Sequence, residues 1–161
     1  MKKRLLFVCM GNICRSPAAE GIMKGLAAQC GLSADIFCES AGTSSYHEGE
    51  PVDGRMVAFA QKRGYVLDGE SRGFKAPEDF ENFDYILTMD KNNYKNIIHL
   101  DPERKHHHKV IPMTNYCKIH KVDEVPDPYY QGDDGFYLVL DILEDACREM
   151  MEKLKSEMSS R

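Results

Sequence analysis

The stretch FVCMGNICRSPAAEG, residues 7–21, sets two cysteines, a glycine, an asparagine and an arginine between an apolar run and a helix-like pattern. Leu5 to Cys9 form a short β-prone run of the kind buried in a parallel sheet. Behind the turn, Ala19, Ile22, Met23, Leu26, Ala27 and Cys30 recur at helical spacing. Ser16 is the expected N-cap, Pro17 the first helical residue and Gly31 the stop. The unit is strand, tight loop, helix, with the loop facing the positive end of the helix.

Outward from this unit the alternation continues. DIFCES is a second strand, leading into the polar loop SAGTSSYHEGEPVDG, and Met56, Phe59 and Ala60 mark a short helix ended by Gly64. YVL reads as a brief strand or an extended connection, and DGESRGFKAPEDF as loop. FDYILTM is the clearest later strand, Asp90 is placed to cap a helix reaching Ile97 or Ile98, and KVIPM is a strand ended by proline. After the turn DEVPDPYYQGDDG, a long helix is written by Phe136, Leu140, Leu143, Cys147, Met150 and Leu154. The expected fold is α/β: a single domain over residues 1–161, three-layer α/β/α, with a central four-stranded, mainly parallel sheet and a phosphate-binding loop after the first strand.

A chain of 161 residues is long enough to bury a core without staples. The net charge of -5 is carried by interspersed rather than blocked residues, which disfavours nucleic acid and anionic membrane as general partners. The opening MKKRLLFVCMG imitates the charged start of a signal peptide. Its apolar run ends at Gly11 and Asn12, too short for a signal or a span. The six cysteines, Cys9, Cys14, Cys30, Cys38, Cys117 and Cys147, read as reduced thiols of a cytoplasmic protein rather than a disulfide framework. Cys9 and Cys14 lack the second pair or nearby histidine that a zinc site needs. His106, His107 and His108 read as a solvated loop, so neither metal nor cofactor is expected.

Taken bare, Cys9 and Arg15 at C-x5-R spacing mean little. Six cysteines and eight arginines in 161 residues produce about 0.3 such matches by chance. Context decides: a strand before, a helix after, Gly11 for close backbone approach and Asn12 for a left-handed turn. Such a turn points the amides of Met10, Gly11, Asn12, Ile13, Cys14 and Arg15 inward as an anion nest. The helix dipole and the planar fork of Arg15 reinforce it. The same positive field favours the thiolate of Cys9, the form that attacks.

These residues resemble a family. VCMGNICRSPAAEG is similar to the signature of the low-molecular-weight protein tyrosine phosphatases, and ESAGTSSYHEGEPVDGRM, FDYILTMD and PDPYY resemble that family's other blocks in the same order. The resemblance implies a protein tyrosine phosphatase with acid phosphatase activity, independent of metal. Its substrates are phosphotyrosine proteins or peptides and aryl phosphates, and phosphate and other oxyanions are its ligands or inhibitors. Cys9 is then the nucleophile, Arg15 the phosphate clamp and Asp127 the general acid and base, with a phosphocysteine between the two steps. Asn12, Ser16 and Cys14 support the loop, Ser16 as a donor to the Cys9 thiolate besides its capping role. Tyr46, His47, Tyr129 and Tyr130 are expected to wall the substrate site. Cys14 is a candidate redox guard, able to capture an oxidised Cys9 as a disulfide. The resemblance also leads one to expect a histidine shortly before the arginine matching Arg72, and DGESRGF has none.

Two rival readings remain. Arsenate reduction on a similar fold needs resolving cysteines downstream, and none lies between Cys38 and Cys117. A phosphotyrosine-binding module without turnover would not need a nucleophile and an acid together.

Overall fold

The computed structural model describes residues 2–159. Four strands, β1 (Lys3–Cys9), β2 (Ile36–Gly42), β3 (Tyr85–Thr88) and β4 (Val110–Pro112), form one sheet in the order β2-β1-β3-β4. All three pairings are parallel. Leu5, Leu6, Phe7 and Val8 of β1 are fully buried, as a central strand covered on both faces requires. From β1 the chain moves to β2 on one side and later to β3 on the other. The topological switch point, where crevices open in such sheets, therefore lies at the carboxyl end of β1.

Strand periodicity sorts the core into two layers. Leu5 and Phe7 face a cluster built with α1 (Arg15–Gln29), α2 (Gly54–Lys62) and α5 (Asp133–Ser159). Leu6 and Val8 face the other side, against Phe80 of α3 (Glu78–Asn82) and Ile97 of α4 (Lys91–His99). The result is a three-layer α/β/α arrangement. α5 has 27 residues, a span of about 40 Å. It buries Phe136, Leu140, Leu143, Cys147, Met150 and Leu154 along one stripe. Gly31 (φ 70°) and Gly64 (φ 88°) sit just past α1 and α2 in the left-handed region that ends a helix.

Two local readings change, and the structure decides one that was open between two alternatives. DGESRGFKAPEDF is not all loop: it runs into α3 at Glu78, and the five residues of that helix are too few to show a helical period. YVL is an extended connection outside the sheet: Tyr65 and Leu67 enter the core, while Val66 is 75% exposed. The histidine run is not a plain solvated loop, because His107–Lys109 form a 3-10 turn, His106 stacks on Phe80 and the His107 ring bonds Asp101. Among the described residues, no helix is long and apolar enough to cross a membrane.

Candidate active site

β1 ends at Cys9 and α1 begins at Arg15, so residues 9–15 form a loop over the carboxyl edge of the sheet. Asn12 takes φ 59°, the left-handed turn that tightens it. β2 must approach closely to hold this turn. A Cβ on Gly42 would stand 2.7 Å from the Met10 carbonyl oxygen, which explains the glycine that closes the strand.

Cys9 Sγ lies at the floor. It accepts from the Asn12 backbone N–H at 3.3 Å and lies 3.0 Å from Ser16 Oγ. The proton directions follow from the neighbours. The Arg72 backbone N–H donates to Asn12 Oδ1 at 2.9 Å, which fixes that atom as the amide oxygen. Asn12 Nδ2 then donates to Ser16 Oγ at 2.8 Å, leaving the Ser16 hydroxyl proton to point at the sulfur. Ser16 is therefore not the N-cap. α1 starts at Arg15, two residues before the expected Pro17, Cys14 occupies the cap position with no side-chain cap, and the Ser16 hydroxyl is committed to the loop.

Arg15 is buried and reaches across to the next strand. Its Nη1 donates to Asp90 Oδ2 at 2.7 Å and to the Val125 carbonyl at 3.0 Å, and Nη2 lies 3.6 Å from Asp127 Oδ2. Burial works to lower the Arg15 pKa, but Cys9, Asp90 and Asp127 outweigh it and hold it above its ordinary value. Asp90 does cap α4, in a reciprocal capping box with Asn93, and with its second oxygen it also braces Arg15. Burial drives the Cys14 thiol far above its ordinary pKa, and Asp53, Cys9 and Asp127 add to the rise, so Cys14 stays protonated.

A cavity of about 60 Å³ opens above the loop, lined by residues 9–15 and by His47, Asp127, Tyr129 and Tyr130. Asp127 comes from the loop before α5 and forms an Asx turn, its Oδ1 accepting from the Tyr129 N–H at 3.1 Å. Tyr129 lies 6.0 Å from the His47 ring and 4.8 Å from the Tyr130 ring, and Tyr130 is 93% exposed. Tyr46 does not line the cavity. It is 84% exposed and meets His47 edge-on.

Sequence reasoning passed over three contributors. Arg55 pairs with Asp53 and donates to the Tyr129 carbonyl at 2.9 Å, tying α2 to the Asp127 loop. Asp90 was legible as a cap but not as the partner of Arg15. Where a histidine was expected before Arg72, the Ser71 hydroxyl donates to the Gly11 carbonyl at 2.9 Å, beside the Arg72 N–H on Asn12. Among the described residues, no group of three or more histidine, cysteine, aspartate or glutamate side chains is placed to hold a metal ion.

Residues 4–160 match the family model described as low molecular weight phosphotyrosine protein phosphatase. A Synechocystis sp. protein, named provisionally as a low molecular weight protein-tyrosine-phosphatase, is 53% identical over 96% of this chain and 98% of its own. The human low molecular weight phosphotyrosine protein phosphatase is 34% identical over 94% of this chain and 95% of its own. A crystal structure of the Entamoeba histolytica protein tyrosine phosphatase, with Hepes in its active site, superposes with TM-score 0.94 at 46% identity, covering 98% of this chain and 99% of that one. The chain belongs to the low molecular weight phosphotyrosine protein phosphatase family.

Proposed function

We propose that this chain hydrolyses phosphotyrosine and aryl phosphates through a phosphocysteine, with Cys9 as nucleophile, Arg15 as clamp and Asp127 as general acid and base. One observation carries the reading. A cysteine that accepts from a backbone amide and faces a hydroxyl proton lies on the floor of a cavity that also holds a buried arginine and a carboxylate.

The charge of a phosphoryl group meets the amides of residues 10–15, the positive end of α1 and the Arg15 fork. Cys9 attacks phosphorus as the bond to the phenolic oxygen breaks, and Asp127 gives its proton to the departing phenoxide. Asp127, now a carboxylate, takes a proton from water as that water attacks the phosphocysteine. The sulfur–phosphorus bond breaks, inorganic phosphate leaves, and the Ser16 hydroxyl steadies the returning thiolate. Charge neutralisation by Arg15 and the amides leaves no step that calls for a metal. Tyr129 and His47 offer flat walls to an aromatic phosphoester, with Tyr130 at the rim. The first step uses the thiolate of Cys9 together with a proton held on the Asp127 carboxyl.

Arsenate reduction would need later cysteines to reach the nucleophile. None of Cys30, Cys38, Cys117 or Cys147 lines the cavity, and Cys38 and Cys147 are buried. A binding module without turnover leaves the carboxylate facing the arginine without a task. The test is hydrolysis of p-nitrophenyl phosphate without added metal. The wild type should turn over, while Cys9→Ser should bind phosphate with no turnover. Undiminished hydrolysis by Cys9→Ser would refute the reading.

A further inference from the structure

An anion nest works only if its peptide planes are turned the right way. In a planar trans peptide the carbonyl and the following N–H point in opposite directions, so a carbonyl tied outward aims the next N–H inward. Four carbonyls of the 9–15 loop are tied in this manner. The Cys9 carbonyl accepts from the Thr43 N–H at 2.9 Å, that of Met10 from the Ser44 N–H at 3.0 Å and that of Ile13 from the Asp53 N–H at 2.8 Å. The fourth, on Gly11, accepts from the Ser71 hydroxyl at 2.9 Å.

Three of these anchors are backbone groups, which any sequence in the same fold supplies. The fourth is a side chain, and it holds the peptide with the least restraint of its own. Gly11 has no Cβ to bias its dihedrals, and Asn12 sits at φ 59°. The N–H of that peptide is the one that reaches Cys9 Sγ at 3.3 Å. Ser71 is itself well held. It is 4% exposed, its N–H donates to the Glu50 carbonyl and its carbonyl accepts from the Gly49 N–H, both at 2.8 Å. The next residue, Arg72, is locked by a two-point ion pair to Asp79 at 2.9 and 3.2 Å while its N–H holds Asn12 Oδ1.

We propose that Ser71 is a positioning residue of the phosphate site. Its hydroxyl fixes the Gly11–Asn12 peptide in the orientation that aims the Asn12 N–H at Cys9 and at a bound phosphate. The inference rests on the phosphatase reading and deepens it. Ser71 touches neither the sulfur nor the substrate; it acts through one peptide plane. Ser71→Ala frees that peptide to rotate, and the nest loses a donor while the fold keeps both backbone bonds of residue 71.

The experiment measures the affinity of inorganic phosphate by its protection of Cys9 against iodoacetamide, beside kcat and KM for p-nitrophenyl phosphate and the thermal midpoint. Ser71→Ala should bind phosphate about ten- to a hundredfold more weakly, the range for one lost hydrogen bond to an ionised group. It should lower kcat/KM by at least as much, with a thermal midpoint close to wild type. Ser71→Thr, which keeps the hydroxyl, should recover most of the affinity. Phosphate affinity of Ser71→Ala equal to wild type overturns the inference alone. A wild type that phosphate does not protect and that does not turn over overturns the phosphatase reading, and the inference with it.

Discussion

Arg15 and Asp90 stand 75 positions apart in the chain, and their side chains meet at 2.7 Å. The contact joins the end of β1 to the end of β3. Because Arg15 also donates to the Val125 carbonyl, and the Val125 N–H donates to the Met89 carbonyl, it links the 9–15 loop to the segment that carries Asp127. The guanidinium is thus aimed by a carboxylate whose other oxygen caps α4.

Asp90 therefore has two separable tasks. Asp90→Asn keeps an oxygen for the cap but removes the charge that braces Arg15. It should lower kcat/KM about tenfold while costing less than about 1 kcal/mol of stability. Asp90→Ala should add about 1 kcal/mol of destabilisation by uncapping the helix. Steady-state kinetics and urea midpoints separate the two, and equal losses of both kinds in Asp90→Asn would argue against the division.

Asp127→Asn tests proton donation. Its effect should depend on the leaving group: a fall of about 10² to 10³ in kcat with a poor leaving group such as phenyl phosphate, and a much smaller fall with a strongly activated aryl phosphate. A loss independent of the leaving group would assign Asp127 to positioning instead.

The loop and most elements were legible because they are local patterns: an apolar run, a crowded turn, a helical stripe. What lay beyond reading was set by distance along the chain. Ser71 to Gly11 spans 60 positions, and no residue near either one announces the pair. For Ser16 only the capping reading fails, for the opposite reason, while the contact with Cys9 that the resemblance implies is present. A serine before proline has a strong local meaning as a cap, yet a cysteine seven residues earlier claims its hydroxyl. Tyr46 was grouped with the wall by its neighbours in sequence, whereas its ring turns outward onto His47.

Cys14 stays a thiol, so its reaction with an oxidised Cys9 should be slow near neutrality and accelerate as pH rises and the proton becomes easier to remove. Peroxide converts Cys9 to sulfenic acid, and attack by the Cys14 sulfur then yields the disulfide and water. Mild peroxide should give a Cys9–Cys14 link that dithiothreitol reverses, and in Cys14→Ser irreversible sulfinic Cys9 instead. Peptide mapping that finds sulfinic Cys9 and no link in the wild type would exclude the guard role.

Asp145 anchors the segment before the Asp127 loop. Burial works to raise its pKa, but the N–H groups of His120, Lys118 and Ile119 and the His120 ring outweigh it and bring it down to about 2. A folded pKa below the unfolded value of about 3.9 means stability that is fully present above about pH 4 and is lost as pH falls toward 2. The thermal midpoint of wild type should exceed that of Asp145→Asn most above pH 4, with the gap closing in stronger acid. A gap unchanged across that window would show that the carboxylate charge is not what holds the segment.

The proposed mechanism places a covalent phosphoryl group on Cys9. Acid quench of Asp127→Asn during turnover of an activated aryl phosphate, followed by peptide mass spectrometry, should find the peptide around Cys9 heavier by one phosphoryl group, and the modification absent from Cys9→Ser. Turnover with no phosphorylated cysteine, or a phosphoryl group on any other residue, would rule out Cys9 as the nucleophile.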